Sequence, residues 1–290
     1  MSATPLHQLT DYLSATNAFT SERRLPSLHL LQKHKTRGFE ALVYNPVICL
    51  ILQGAKEINI GAHTVSVTQG DALLVSHDLP VISKITDASP DKPYRALILS
   101  LDLATIRRLY EQVGDAITDD AHATSLSTCT ADPAWLEPLT RYTRLLDTPL
   151  DARVLGPLVL KEIHFRLLMS PIGGMLRNLL TVDSHASRIS KSILHIRASF
   201  RAPLIVADLA KHAGMSPSSF HEHFKSVTGT TPLQYQKDLR MIEARSLLAR
   251  GNRSVSGTGF DVGYESPTHF SRDYARKFGC SPKHHLAQAL

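Results

Sequence analysis

The sequence predicts an α+β multidomain chain: an N-terminal β-barrel or sandwich, a helical linker, and an all-α C-terminal domain built from two helix-turn-helix units. Three observations predict it. Short β-branched runs with period-two alternation fill the stretch from about Leu28 to Leu101, the apolar spacing turns helical after Leu103, and a motif at residues 216–232 returns 50 residues later. The 290 residues suffice for about two domains at roughly 150 residues each. With 43% hydrophobic and 20% charged residues, 15 Gly and 16 Pro, the composition excludes global disorder, a collagen repeat and a disulfide scaffold.

The strands come first. Pro46-Val-Ile-Cys-Leu-Ile-Leu-Gln-Gly54 is an apolar run closed by glycine; Ile58 and Ile60, then Val65 and Val67, alternate with polar neighbours across a Gly61-Ala62 turn, which reads as a hairpin. Gly70-Asp71 opens Ala72-Leu-Leu-Val75, and Pro93-Tyr94 opens Ala96-Leu-Ile-Leu-Ser-Leu101. Several short antiparallel strands closing into a small barrel or sandwich satisfy this pattern. From there the chain reads as helical: Leu103 to Val113 forms one helix, and Asp132 caps a second with Pro133 at its first position and Trp135, Leu139, Tyr142 and Leu146 on one face. A third starts at Asp151, carries Leu155, Leu158, Ile163 and Leu167 inward, bends at Gly156-Pro157 and ends at Pro171-Ile-Gly-Gly174. These helices could be domain core or a dimer seam. The division follows as 1–130, 131–182 and 183–290.

After residue 182 the spacing is helical throughout, with Ile189, Ile193, Ile196 and Phe200 in one stripe. Ser216-Pro217 recurs as Ser266-Pro267, Phe220 as Phe270, Phe224 as Tyr274, Gly229 as Gly279 and Pro232 as Pro282, while Gly214 and Gly263 repeat one residue closer. Each copy reads as helix, glycine turn, helix: a glycine accepts the positive φ at the first helix end, a serine caps the next helix, and proline occupies its first position. Between the copies, a helix from Leu233 to Leu248, with Leu233, Gln236, Leu239, Ile242 and Leu247 near one side, forms a strut of about 24 Å at 1.5 Å per residue. It holds the two second helices roughly one DNA turn apart.

The basic excess lies in this region. Residues 183–290 hold 15 Lys and Arg against 8 Asp and Glu, and residues 1–182 hold 17 against 18, so an anionic partner is expected for the C-terminal domain. The partner is double-stranded DNA, because a helix fits the major groove and its N-terminal residues reach base edges. Ser218, His221 and Glu222 in the first unit and Thr268, His269, Ser271 and Arg272 in the second point away from the aromatic stripes and are the expected base readers. Arg272 suits guanine and Glu222 suits cytosine, while Lys225, Arg253, Arg276 and Lys277 suit phosphates.

These residues resemble the AraC/XylS family of transcription regulators. The resemblance rests on Ala207-Asp-Leu-Ala210, Ala213-Gly-Met-Ser216, Phe220-x3-Phe224-Lys225, Thr228-Gly229, Pro232-x2-Tyr235, Arg240, Ala244-Arg245, Leu247-Leu248, Val262-Gly-Tyr-Glu-Ser266, His269-Phe270-Ser271-Arg272 and Phe278-Gly279-x2-Pro282. It implies a sequence-specific regulator acting on bacterial promoters, usually as an activator, with RNA polymerase as a partner. Pro46-x-Ile-Cys-Leu-Ile-Leu-Gln-Gly54, Gly70-Asp71-x-Leu-Leu-Val-Ser76-x-Asp78-Leu-Pro-Val81 and Pro93-Tyr94-x-Ala96-Leu97 resemble the branch whose N-terminal domain is a cupin-like barrel, implying a module that senses a small-molecule effector or forms a homodimer. One departure stands out: Gly257 and Gly259 occupy positions where the family usually has an acidic residue and alanine. Each costs about 1 kcal/mol in a helix interior, so the second unit is expected to be loosely held, and a degenerate relative working through protein partners is the alternative.

Enzyme chemistry has little support. A cupin metal site needs a His-x-His pair on a strand, and among His7, His29, His34, His63, His77, His122 and His164 no two are two apart. His221 and His223 have that spacing on a helix, where they face opposite sides. Neither metal, cofactor nor catalytic residues are expected, with a metal-dependent cupin enzyme as the remaining alternative. No nucleophile-elbow or phosphate-loop motif occurs. Cys49 on its strand could face the barrel lumen at an effector pocket, and Lys33, Lys84 and Arg95 could meet an acidic effector. Cys49, Cys129 and Cys280 form no C-x-x-C pair, and neither a signal peptide nor an 18-residue apolar run is present, so a cytoplasmic protein without a membrane anchor is expected.

Overall fold

Alternation along the strands decides how the N-terminal region is layered. In the computed structural model, which describes residues 4–22, 24–36, 38–61, 63–116, 120, 123–181, 184–251 and 253–287, nine strands form two antiparallel sheets. The strands are β1 (Leu28–Lys33), β2 (Glu40–Tyr44), β3 (Val47–Gln53), β4 (Ala55–Ile60), β5 (His63–Thr68), β6 (Asp71–Val75), β7 (Leu79–Asp87), β8 (Tyr94–Ser100) and β9 (Leu126–Thr130). The larger sheet has the order β1-β8-β3-β6-β9 and the smaller β2-β7-β4-β5. Helices α1 (Pro5–Ala15), α2 (Leu103–Val113), α3 (Pro133–Arg144), α4 (Pro149–Val154), α5 (Gly156–Met169) and α6 (Gly174–Leu180) complete this part.

The larger sheet is buried on both faces. Ile48, Leu50 and Leu52 of β3, Ala72 and Leu74 of β6, and Leu97 and Leu99 of β8 pack against helices that contribute Leu9, Leu13, Ile106, Trp135, Leu139, Ile163 and Leu167. The intervening Cys49, Ile51, Leu73, Val75 and Ala96 point into the space between the sheets, where they meet Ile58, Ile60 and Val67. A strand covered on both sides loses its alternation and reads as a continuous apolar run. Along β4 the pattern is the one-sided kind, with Lys56, Ile58 and Ile60 buried and Ala55, Glu57 and Asn59 partly exposed.

Three elements depart from expectation. Strand β9 follows α2 and pairs with β6 from Asp71↔Thr130 to Val75↔Leu126. Its sequence Leu-Ser-Thr-Cys-Thr has one buried position, so the open edge of β6, not a local apolar pattern, makes it a strand. Helix α1, unforeseen, is capped by Thr4, starts with Pro5 and buries Leu9 and Leu13. The helix expected from Asp151 is interrupted: α4 ends at Val154 and α5 begins at Gly156, with Ile163 and Leu167 inward but Leu155 and Leu158 45% and 64% exposed. The break at Leu155 turns that row outward, beside the equally exposed Leu150 and Val154. Ala62 of the expected Gly61-Ala62 turn and the division at 182–183 lie outside the described residues.

The C-terminal region is helical: α7 (His185–Ser199), α8 (Val206–His212), α9 (Pro217–Thr228), α10 (Pro232–Ala249), α11 (Val255–Asp261), α12 (Pro267–Phe278) and α13 (Pro282–Ala287). Ile189, Ile193 and Ile196 of α7 pack with Phe220, Phe224, Tyr235 and Leu239, while Met241, Ala244 and Leu248 of α10 pack with Val262, Phe270 and Tyr274. Helix α10 thus belongs to both cores. Its buried set is Pro232, Tyr235, Gln236, Asp238, Leu239, Met241, Ala244 and Leu248, spread around the helix, and Leu233, expected inside, is 53% exposed. A helix packed from several sides has no single apolar stripe.

Candidate nucleic-acid interface and barrel cavity

The two copies of the repeat fold alike because the same residues do the same local work. In the first, Gly214 at φ +63° ends α8, the Ser216 hydroxyl accepts from the Ser219 amide at 3.2 Å, and Gly229 at φ +74° closes α9 by donating to the Lys225 carbonyl at 2.8 Å. In the second, Gly263 at φ +87° ends α11, Ser266 accepts from the His269 amide at 3.4 Å, and Gly279 at φ +71° donates to the Ala275 carbonyl at 2.8 Å. Gly263 is doubly constrained, since a Cβ there would lie 2.1 Å from the Arg201 carbonyl oxygen. The buried aromatics correspond as well: Phe220 and Phe224 inside the first unit, Phe270 and Tyr274 inside the second.

A strut residue joins the units. Arg240 on α10 donates to the carbonyls of Phe200, Arg201, Ala202 and Gly263 at 2.7 to 3.1 Å, tying the end of α7 to the turn of the second unit. Gln236 adds bonds to Phe200 and Ala202.

The outer faces are polar and uneven in their commitments. Ser218, His221, Glu222 and Lys225 on α9 and Thr268, His269 and Arg272 on α12 are exposed, while Ser271 is half-buried. His223 turns inward and stacks on His185 with centroids 3.8 Å apart, as opposed helix faces require. Among the described residues Arg272 makes no ion pair or hydrogen bond, whereas its neighbours are occupied: Arg276 pairs with Asp273 at 2.7 Å, Arg253 with Asp261 at 3.5 Å, and Lys277 with the buried Asp238 at 2.7 Å. Asp273 also receives Lys237 at 2.9 Å and Tyr264 at 3.0 Å, which fixes α12 against α10 and leaves Arg272 on the open side. Lys277, expected to face phosphate, therefore holds a carboxylate of its own chain. Arg272 and its neighbours His269 and Arg276 line a concave surface with Lys237, Arg240 and Glu265.

The first unit sits differently, because the barrel packs on it. Tyr235 donates to the Asp78 carbonyl at 2.6 Å, the Asp78 carboxylate pairs with Arg197, and Arg245 donates to the Phe39 carbonyl at 2.8 Å. At the β4–β5 turn, a Cβ on Gly61 would come 2.9 Å from the Gly229 carbonyl oxygen. Glu222 and Lys225 consequently line a cleft of about 640 Å³ whose other wall is Ile60, His63, Thr64 and Val65. The concave surface that holds Arg272 is lined, among the described residues, by C-terminal residues alone.

A second concavity lies inside the barrel. About 410 Å³ in volume, it is bounded by Leu31, Leu42, Leu73, Ile85 and Ile98 and contains the side chains of Tyr44, Cys49, Lys56 and Tyr94. Lys56 is 7% exposed; its ammonium donates to the Tyr44 hydroxyl at 3.1 Å, and no carboxylate among the described residues forms an ion pair with it. Burial opposes its charge, and its pKa moves upward only because Cys49, Tyr44 and Tyr94 beside it become anionic at high pH; while they are neutral they give the ammonium no counter-charge. Burial pushes the Cys49 thiol up, so Cys49 lines the cavity as a neutral thiol. The Tyr94 hydroxyl, fully buried beside Lys56, has no acceptor for its proton among the described residues. Removing an ammonium from water costs several kcal/mol, more than a hydrogen bond to one phenol returns at about 1.5–3 kcal/mol.

Lys56 was not among the residues singled out from the sequence, although it has a signal there: in Ala55-Lys-Glu-Ile-Asn-Ile60 it shares parity with Ile58 and Ile60. Of the cations proposed for an acidic effector, Lys33 borders the cavity, Lys84 lies over the Phe39 ring at 5.5 Å, and Arg95 donates to Gln32 and Ser14 at 2.8 and 2.9 Å. Among the described residues no group of three or more His, Cys, Asp or Glu is placed to hold a metal ion, and no helix is long and apolar enough to cross a membrane.

Comparison with known proteins gives a consistent picture. A family profile described as AraC-type transcriptional regulator N-terminus matches residues 24–175, and one described as helix-turn-helix domain matches residues 209–288. The HTH-type transcriptional regulator ExsA of Pseudomonas aeruginosa is 28% identical over 131 residues, 44% of this chain and 46% of that protein. The HTH-type transcriptional regulator AlkR of Acinetobacter baylyi is 35% identical over 101 residues, 35% of this chain and 33% of that one. The matches thus span about a third to a half of those relatives' length. Among solved structures, ToxT of Vibrio cholerae aligns over 90% of this chain and 96% of its own with a TM-score of 0.55 at 13% identity. An unsaturated fatty acid-bound form of ToxT aligns over 90% and 93% with a TM-score of 0.54 at 15% identity. At such identities the likeness to ToxT is one of fold.

Proposed function

The chain belongs to the AraC-type transcriptional regulators, and from that premise we propose that it binds double-stranded promoter DNA by placing α9 and α12 in successive major grooves. Ser218, His221 and Glu222 on α9 and Thr268, His269, Ser271 and Arg272 on α12 read bases, and Lys225, Arg253 and Arg276 meet phosphates. The observation that carries this reading is Arg272: an exposed, unpaired guanidinium on a helix whose other cations are engaged within the chain. Such a fork matches guanine O6 and N7, a contact worth about 1–3 kcal/mol of discrimination. The protein works in the cytoplasm, recruits RNA polymerase as an activator and catalyses no reaction. A small-molecule effector occupies the barrel cavity, where Cys49 is part of the lining. The exposed row Leu150, Val154, Leu155 and Leu158 is the surface proposed for a second copy of the chain, and sedimentation equilibrium reads whether it is used.

The test is selection of duplexes from a random library by the full chain, followed by titration of the selected site. A steep fall of affinity with salt is expected. Arg272→Ala should lose preference at one base pair by about 1–3 kcal/mol, and Lys225→Ala should weaken all sequences alike. A flat salt response, or a selected site indifferent to Arg272, would overturn the assignment.

A further inference from the structure

We propose that the barrel cavity is a carboxylate site, in which the Lys56 ammonium and the Tyr94 hydroxyl bind the anionic head of a small organic monoacid whose apolar body lies against Leu31, Leu42, Leu73 and Ile85. The inference rests on the reading of the barrel as an effector domain and names the effector's chemical class.

Two neighbouring groups in the cavity are incomplete in the same sense. Lys56 is a buried cation on an inward position that its own strand otherwise fills with isoleucine, and its ammonium has only neutral phenols beside it among the described residues, Tyr44 at 3.1 Å and Tyr94. Tyr94 is a buried donor without an acceptor there. Buried charges are matched by opposite charges and buried donors by acceptors, and a carboxylate supplies both, one negative charge with two accepting oxygens. A neutral alcohol could satisfy Tyr94 but would leave the ammonium unmatched. The lining is predominantly apolar, although Lys33, Glu40, Asn45, Ser83 and Ser100 also border it, so a bare inorganic anion would surrender much of its hydration to hydrocarbon. A cavity of about 410 Å³ lies at the small end of ligand pockets. Cys49 does not supply the counter-charge internally, because burial keeps it a thiol.

The test uses the full-length protein and calorimetric titration with matched probes: octanoate against octan-1-ol, 3-phenylpropionate against 3-phenylpropan-1-ol, and sodium phosphate. At least one carboxylate is expected to bind tenfold or more tightly than its alcohol, with phosphate failing to compete. Lys56→Met should abolish that preference while leaving the alcohol's affinity within threefold of wild type, and should raise the Tm of the unliganded protein by removing an unmatched charge. Tyr94→Phe should weaken the carboxylate at least threefold and the alcohol less; it carries the test if Lys56→Met does not fold. Equal binding of acid and alcohol, retention of the preference in Lys56→Met, displacement by phosphate, or no binding of either acid at millimolar concentration would each overturn the proposal. Arg272→Ala should bind the acid as wild type does, so a failure of DNA reading leaves this result standing on its own.

Discussion

His77 shows what a single buried side chain commits the molecule to. It lies beside Asp78 at the joint between barrel and helices, 4% exposed, with Nδ1 3.1 Å from the Ser76 hydroxyl and Nε2 without a partner among the described residues. Burial depresses its pKa to about 4 from an ordinary 6.5. The unfolded chain therefore takes up a proton first as pH falls, so the stability associated with a neutral His77 is complete above about 6.5 and is lost progressively as pH drops to about 4. Over that interval urea unfolding should show a loss on the order of 3 kcal/mol attributable to this residue. In His77→Phe the loss between pH 6.5 and 4 should shrink by a comparable amount; an identical pH dependence would mean that the imidazole is hydrated. At the same scale, Arg272 and Lys277 illustrate how far sequence reaches. Both are cations on one helix, but Asp238, 39 residues earlier, captures Lys277 and leaves Arg272 free.

At the scale of elements, α11 settles what the two glycines do. The helix is regular from Val255 to Asp261, with Ser254 accepting from the Gly257 amide at 3.0 Å. The two positions are not equivalent. A Cβ at Gly257 would meet the Ser254 hydroxyl at 3.1 Å, a group that can turn, whereas a Cβ at Gly259 would meet the Phe270 ring at 3.1 Å. Phe270 is fully buried between Tyr264 and Tyr274, at centroid distances of 5.6 Å from each. Gly257→Ala should therefore raise stability by about 0.5–1 kcal/mol through helix propensity, and Gly259→Ala should lower it by about 1–3 kcal/mol through overpacking. Thermal unfolding of the two single variants decides it, and equal gains from both would show that Phe270 has room to shift. The expectation that both glycines weaken the helix treated them by propensity alone; the aromatic that occupies the missing Cβ's place belongs to another helix. Caps and turns of α9 and α12 were legible because Ser-Pro, the aromatic spacing and the closing glycines act within one turn of chain. Strand β9 was not, since its pairing partner is more than 50 residues away.

For the molecule as a whole, the joint between barrel and first unit bears on the proposed DNA reading by α9. Glu222 and Lys225, though exposed, line the cleft across from β5, and a duplex seated on that part of α9 would meet this wall while Asp78 holds Arg197 and Tyr235. Asp78→Asn removes the ionic part of the joint and keeps the carbonyl that Tyr235 uses. A partly exposed pair of this kind contributes up to about 1 kcal/mol, so DNA affinity should rise roughly two- to fivefold by population shift. Unchanged or weaker binding in a fluorescence titration with the selected site would mean that the cleft is no barrier.

Sequence by itself determined the local and the repeated: the strands from Leu28 to Leu101, how each second helix is capped, which residues of α9 and α12 face away from their aromatic stripes and where the basic charge accumulates. Those properties depend on neighbours within a few positions, or on a motif that returns at a fixed offset. Tertiary structure alone decided that Lys56 has no counter-ion among the described residues, that Lys277 is engaged there and Arg272 is not, and that a barrel wall stands across from Glu222 and Lys225 while the concavity of Arg272 is lined by C-terminal residues. Each of these depends on which distant side chain shares a buried space, and alternation or propensity along the chain carries no information about that.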